Sequence, residues 1–186
     1  PIMTANYGSG AGNKAQPITV KPVVSRDPAS AGVDDLIIAF GTGQYLATGD
    51  ITNTDVQSFY GVRSYSARTN GGNYGLNPRS PSAKFVEQTI TEAACTQAGC
   101  SGDVRKVSNS SLNNNDDGWH IDFDFNDASA TSVDGERIVV NPKIRNNTLF
   151  FNTVIPDATI CNAGGNGWLM SVNLANGGTP LAPVFD

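Results

Sequence analysis

His120 is the single histidine of the chain, so any Ser-His-Asp or histidine-ligated chemistry has to run through it. It sits in Gly118-Trp-His-Ile-Asp122, with Asp122 and Asp124 at alternating positions. No G-x-S-x-G elbow accompanies it, and on the polar side of an alternating run it reads as a solvated surface histidine. Asn113-Asn-Asn-Asp-Asp-Gly118 places oxygen-bearing side chains at the first, third and fifth positions of a calcium-loop register, with Asp124 twelfth. The first position of such a loop is ordinarily Asp and the twelfth Glu, and a strand pattern starts at Trp119, so an Asn/Asp turn is the better reading. Gly41-Thr-Gly43 follows an apolar run as a nucleotide-binding turn would. The third glycine position is Leu46, however, and neither Gly-Lys-Ser/Thr nor a helix follows. A tight turn where backbones approach closely accounts for the pattern. Cys95 and Cys100 enclose a short Gly-containing loop and are candidates for a disulfide, while Cys161 is either a free thiol or bonded to a cysteine elsewhere. A zinc site lacks a second ligand pair. The residues thus nominate no catalytic, metal or cofactor-binding set.

The elements that would carry these residues are short and β-like. Of 186 residues, 39% are hydrophobic and only 16% charged, with 20 Gly and 10 Pro, a turn-rich profile typical of secreted β proteins. The net charge of -5, with no cluster of basic residues, argues against a nucleic-acid partner and an anionic membrane surface. No apolar run reaches the roughly 18 residues of a membrane-spanning helix. Residues 1–16 read as a linker or surface loop. Ile18–Val24 reads as an extended strand that Pro22 confines to an edge, and Asp35–Phe40 as a strand buried on both faces. Val56–Ser66 is a further strand candidate. Lys84–Glu92 and Val104–Ser108 form an expected hairpin with the Cys95/Cys100 loop at its tip. Trp119–Phe125 alternates cleanly and predicts a half-buried strand.

Gly135–Leu174 gives the clearest supersecondary signal. Arg137–Ile144 and Thr148–Ile155 are strand-like, and Asn146-Asn147 can supply the two positive-φ residues of a type I′ turn. A Gly-rich loop then leads to a third strand, Trp168–Leu174, completing an expected antiparallel meander. The whole chain offers about eight or nine short strands and no convincing helix, which calls for an all-β sandwich, barrel or propeller. It opens at Pro1 without Met and stops at Asp186, and reads as a segment of a longer polypeptide.

Taken in order, a series of landmarks resembles the C-terminal β-propeller region of the type IV pilus tip-associated adhesin and assembly proteins, the PilY/PilC type. They are Gln16-Pro-Ile-Thr19, Phe40-Gly-Thr-Gly-Gln-Tyr-Leu46, Thr48-Gly-Asp50, Gln57-Ser-Phe-Tyr-Gly61, Glu87-Gln-Thr-Ile90 and Val104-Arg-Lys-Val-Ser108. Gly118-Trp-His-Ile-Asp122, Gly135-Glu-Arg-Ile-Val139, Leu149-Phe-Phe-Asn-Thr153, Ile155-Pro156, Cys161-Asn-Ala-Gly-Gly165, Gly167-Trp-Leu-Met170 and Pro183-Val-Phe-Asp186 continue it. No piece is specific alone; their order is. The resemblance implies a non-enzymatic component of the pilus tip, extracellular or on the outer cell surface. It would act in pilus biogenesis, retraction control and surface adhesion. The implied partners are the rest of its own polypeptide, minor pilins, and a host or abiotic surface. Calcium is implied for flanking parts of the full-length protein, where relatives carry a D-x-N-x-D-G loop near the position of Asp186. Residues 67–81 and 93–103 depart from the family and read as insertions. A propeller blade takes about 40–45 residues, so the segment would supply three blades or fewer of an incomplete ring whose open edges other parts of the polypeptide complete. Two rival readings are a quinoprotein-dehydrogenase-like propeller enzyme and a secreted carbohydrate-binding β domain.

Overall fold

The computed structural model describes residues 3–8, 13–30, 35–64, 77–80, 83–96, 102–124, 134–157, 165–182 and 184. Among these there is no α-helix, one 3-10 turn at Thr48–Ile51, and twelve short strands in four sheets, none of which closes on itself.

The centre is a five-stranded sheet. Its strands β3 (Val23–Arg26), β4 (Leu36–Gly41), β5 (Ser58–Ser64), β6 (Phe85–Gln88) and β9 (Gly118–Asp122) lie in the order β3-β4-β5-β9-β6. All neighbours are antiparallel except β6 and β9, which run parallel. The alternation in β9 sends Trp119 and Ile121 to one face, beside Phe59 of β5 and Phe123 just beyond the strand. There they meet β11 (Thr148–Asn152) and β12 (Leu169–Asn173), which with β10 (Lys143–Arg145) form a three-stranded antiparallel sheet. Phe59 stacks on Phe151 at 4.3 Å between ring centroids, joining the two sheets through a core that also holds Leu149, Met170, Val172 and Leu174. β7 (Ile90–Ala94) and β8 (Asp103–Val107) pair as a hairpin that adds Ile90 and Val107 to this core.

The other face of the central sheet carries Phe40, Tyr60, Val62 and Phe85, and is covered by Met3 and Ala5. Here the sequence expectation fails. The described part of residues 1–16 is more than a linker: β1 (Asn6–Tyr7) pairs with β2 (Lys14–Ala15), and Ala5, Asn6 and Gln16 are buried. Because the ribbon roofs this face, β9 is buried on both sides instead of one, and His120 is 5% exposed instead of solvated. Phe125 lies outside the described residues.

The expected hairpin from Lys84 divides at Thr89. Its first half, β6, joins the central sheet, and only its second half pairs with β8. The break is held by Gln88, whose amide donates to the carbonyls of Ser110 and Asn176, and by Thr89 N–H, which donates to Ser108 Oγ. The meander forms as expected, with Asn146 at φ 50 and Asn147 at φ 60. Its first strand is shorter than the apolar pattern suggested. Pro142 interrupts the run, and Arg137 instead makes an isolated bridge to Val154 while Ile138 N–H donates to Thr42 O.

Candidate functional site

Four clusters of functional groups stand out, and three of them are structural in character. The first gathers on the ribbon-covered face of the central sheet. Tyr60 and His120 are register partners, as are Ser58 and Asp122, so strand pairing alone puts all four side chains together. Tyr60 Oη donates to Gln16 Oε1 at 2.6 Å, Gln16 Nε2 donates to Ser58 Oγ at 2.8 Å, and Ser58 Oγ donates to Asp122 Oδ1 at 2.6 Å. Arg79 closes the network. Its Nη2 pairs with Asp122, its Nη1 donates to His120 Nε2 at 2.6 Å, and its Nε reaches the carbonyl of Asn6 at 3.3 Å. Tyr7 Oη adds a bond to Asp124 Oδ2 at 3.1 Å.

This arrangement fixes the state of His120. With Nε2 accepting from a guanidinium, the ring proton belongs on Nδ1, which is buried without a partner. Burial lowers the imidazole pKa to about 4; Asp122 pulls it up and Arg79 pushes it further down. Ser58 gives its proton to Asp122 and not to His120, so the three do not form a nucleophile–base–orienter relay. Among the described residues Glu87, His120 and Asp122 are the one group with ligand atoms close enough, within 4.8 Å of one another, to hold a metal ion. Arg79 already supplies the cation there, bonded to both His120 and Asp122.

The second cluster explains the Gly41-Thr-Gly43 pattern. Arg137, 2% exposed, donates to four backbone carbonyls: Gly135 and Gln44 at 2.8 and 2.9 Å, Asp50 at 2.8 Å, and Asn53. Asp50 in turn accepts from the N–H groups of Leu46 and Ala47 and from Gln44 Nε2, and these bonds hold its carboxyl below the usual range. Thr42 N–H and Oγ1 both reach Ser58 O. A Cβ on Gly43 would stand 2.5 Å from Arg137 Cβ, and one on Gly41 2.5 Å from Ile138 Cβ. These glycines let the 135–138 segment approach; they cradle no phosphate. The Asn113–Gly118 stretch is likewise a turn. Asp116 accepts from Asn113 N–H at 2.6 Å and Asp117 from Lys84 N–H at 3.0 Å, so both carboxylates serve the backbone.

The third cluster is a cavity of about 340 Å³ between the β7–β8 hairpin, the 134–136 segment and the start of β12. Arg105 lies on its wall, 4.3 Å from the Trp168 ring centroid, with Nε bonded to Glu92 at 2.7 Å and Nη1 to Glu136 at 2.5 Å. The fourth is the hairpin end that carries Cys95, where Cys95 N–H donates to Gly102 O at 2.9 Å; Cys100, Cys161 and Asp186 lie outside the described residues.

Sequence reasoning passed over Arg79, Arg105 and Arg137. No motif marks any of the three, and their partners are carbonyls, carboxylates and the His120 ring that, for the most part, only the tertiary fold brings near.

No family model matches the chain. It is 30% identical over 187 residues to a type IV pilus biogenesis factor PilY1 homolog of Xylella fastidiosa, covering 100% of this chain and 13% of that protein. It is 25% identical over 190 residues to the type IV pilus biogenesis factor PilY1 of Pseudomonas aeruginosa, covering 94% of this chain and 16% of that one. Among solved structures, the C-terminal domain of Pseudomonas aeruginosa PilY1 superposes with a TM-score of 0.73 at 22% identity, covering 96% of this chain and 34% of that domain. The chain therefore spans a small part of each relative.

Proposed function

Because the chain belongs to the PilY1 type of type IV pilus biogenesis factors, we propose that it is a non-enzymatic part of the pilus tip, acting in pilus biogenesis, retraction control and surface adhesion. The observation that carries this reading is end-to-end similarity to the PilY1 homolog, across 100% of the chain. The polar clusters are consistent with it. His120 is held by Arg79, and Ser58 by Asp122, so neither is poised for catalysis. Minor pilins and a host or abiotic surface are the proposed partners, at the outer cell surface. No helix among the described residues is long and apolar enough to cross a membrane.

The sheets would be blade-like units of a β-propeller left open here. Among the described residues the outer edges of β3, β6, β10 and β12 carry no paired strand. The rest of the polypeptide would cover them, since the matched domain is much longer than this chain. A Cys95–Cys100 disulfide at the hairpin tip, and calcium in flanking parts of the protein, complete the proposal.

The test is deletion of the full-length gene in its own host, with complementation by the intact gene and by one lacking the codons for residues 143–173. Loss of surface pili and surface attachment, restored by the intact gene alone, is expected. Unchanged piliation and attachment in the deletion strain would overturn the reading.

A further inference from the structure

We propose that the cavity beside Arg105 and Trp168 is a docking pocket for one basic side chain, lysine or arginine, presented by a partner protein. The first argument is charge. Glu92, Asp134 and Glu136 line the cavity with a single cation, Arg105, so the walls carry two more negative than positive groups. Glu92 and Glu136 are engaged with Arg105. Asp134 is exposed and makes no hydrogen bond or ion pair with any described residue. It stands where an arriving cation would meet a carboxylate.

The second argument is the chemistry of the remaining walls. Phe123, Ile155 and Trp168 are apolar or aromatic. A hard divalent ion seeks a shell of oxygens, whereas a long basic side chain packs its methylenes on apolar surface and keeps only its head for the carboxylate. Arg105 already shows the preference in place, with its guanidinium over the Trp168 ring and between two carboxylates. The third argument is size. About 340 Å³ lies at the small end of the roughly 300–1,000 Å³ that ligand pockets span, room for one side chain and not for an extended ligand. The pocket is also rigidly built. Glu92 and Arg105 are register partners in the β7–β8 hairpin, and Trp168 N–H is fixed to Thr153 Oγ1 at 3.0 Å.

The experiment uses the full-length protein and a fluorescently labelled Gly-Ser peptide with one central arginine, with lysine and norleucine versions for comparison, read by anisotropy. Saturable binding of the arginine and lysine peptides, weakening as salt rises, is expected, with norleucine binding at least ~5-fold weaker. Asp134→Asn should weaken the basic peptides by about 5-fold, and Asp134→Glu should restore most of the affinity. No binding by the wild-type protein, equal binding of norleucine, or indifference to Asp134→Asn would each overturn the proposal. Displacement of the peptide by millimolar calcium at constant ionic strength would reassign the pocket to a metal and overturn it as well. Thermal melting of Asp134→Asn alongside the wild type shows that a loss of binding is not a loss of fold.

Discussion

Arg137 illustrates how much one side chain can organise. Its guanidinium satisfies four carbonyls from three chain segments, so Arg137→Ala leaves two buried and two half-buried acceptors bare. A loss of about 2–4 kcal/mol in urea unfolding is expected. Arg137→Lys should recover only a fraction, since an ammonium cannot reproduce the planar fork. His120 carries the pH dependence. Its folded pKa of about 4 lies below the ordinary 6.5, so the unfolded chain binds the proton more readily. The stabilisation is complete above pH 6.5 and is lost progressively as pH falls from there toward 4. Glu87, whose carboxyl is raised by burial and by Asp122 and Asp124, faces the same network and blurs the lower end. Urea midpoints from pH 7 to 4 should fall with a slope that flattens in His120→Gln. The placement of His120 was not legible in the sequence. Its alternation with Trp119 and Ile121 was, but alternation says only that two faces differ, not that the second is bare. The roof over it comes from residues whose Gly, Ala, Ser and Asn composition looks like linker.

At the level of elements, the strand pattern is read best where the chemistry is local. The Asn146-Asn147 turn is visible because two residues tolerant of positive φ sit between two β-rich runs. Asn147→Gly should be neutral to stabilising, while replacing both by alanine should cost about 1–3 kcal/mol, measured by the same unfolding curves. The division of the run at Thr89 was not legible, because its cause is Gln88 reaching Ser110 and Asn176, far along the chain. The Arg105 pocket was hidden for the same reason: its walls come from six separate stretches. Trp119 gives a sharper test of packing. A Cβ on Gly61 would lie 2.2 Å from its Cε2 and one on Gly177 2.3 Å from its Cε3, while its Nε1–H donates to Leu174 O at 3.1 Å. Gly61→Ala should therefore destabilise by about 1–3 kcal/mol or more, as overpacking does. Adding Trp119→Phe should cost less than the two single effects summed, a coupling that a double-mutant cycle measures.

For the molecule as a whole, the open sheet edges predict behaviour in solution. The 186-residue segment expressed alone should self-associate, whereas the full-length protein should stay monodisperse under the same conditions, as light scattering would show. A monomeric, fully folded segment would contradict the propeller reading. The all-β class was legible from turn density and short β-rich runs. The parallel pairing of β6 with β9 was not, because pairing direction leaves no mark on residue periodicity. The network that ties Tyr7 to Asp124 and Arg79 to Asp122 has a further consequence, in time and not in space. A chain emerging from its amino end displays the β1–β2 ribbon while more than a hundred residues are still to come, and the surface destined to receive it does not yet exist. Assembly must wait for the distant strand, so the ribbon passes through a long interval in which it is unhoused and dependent on whatever escorts it.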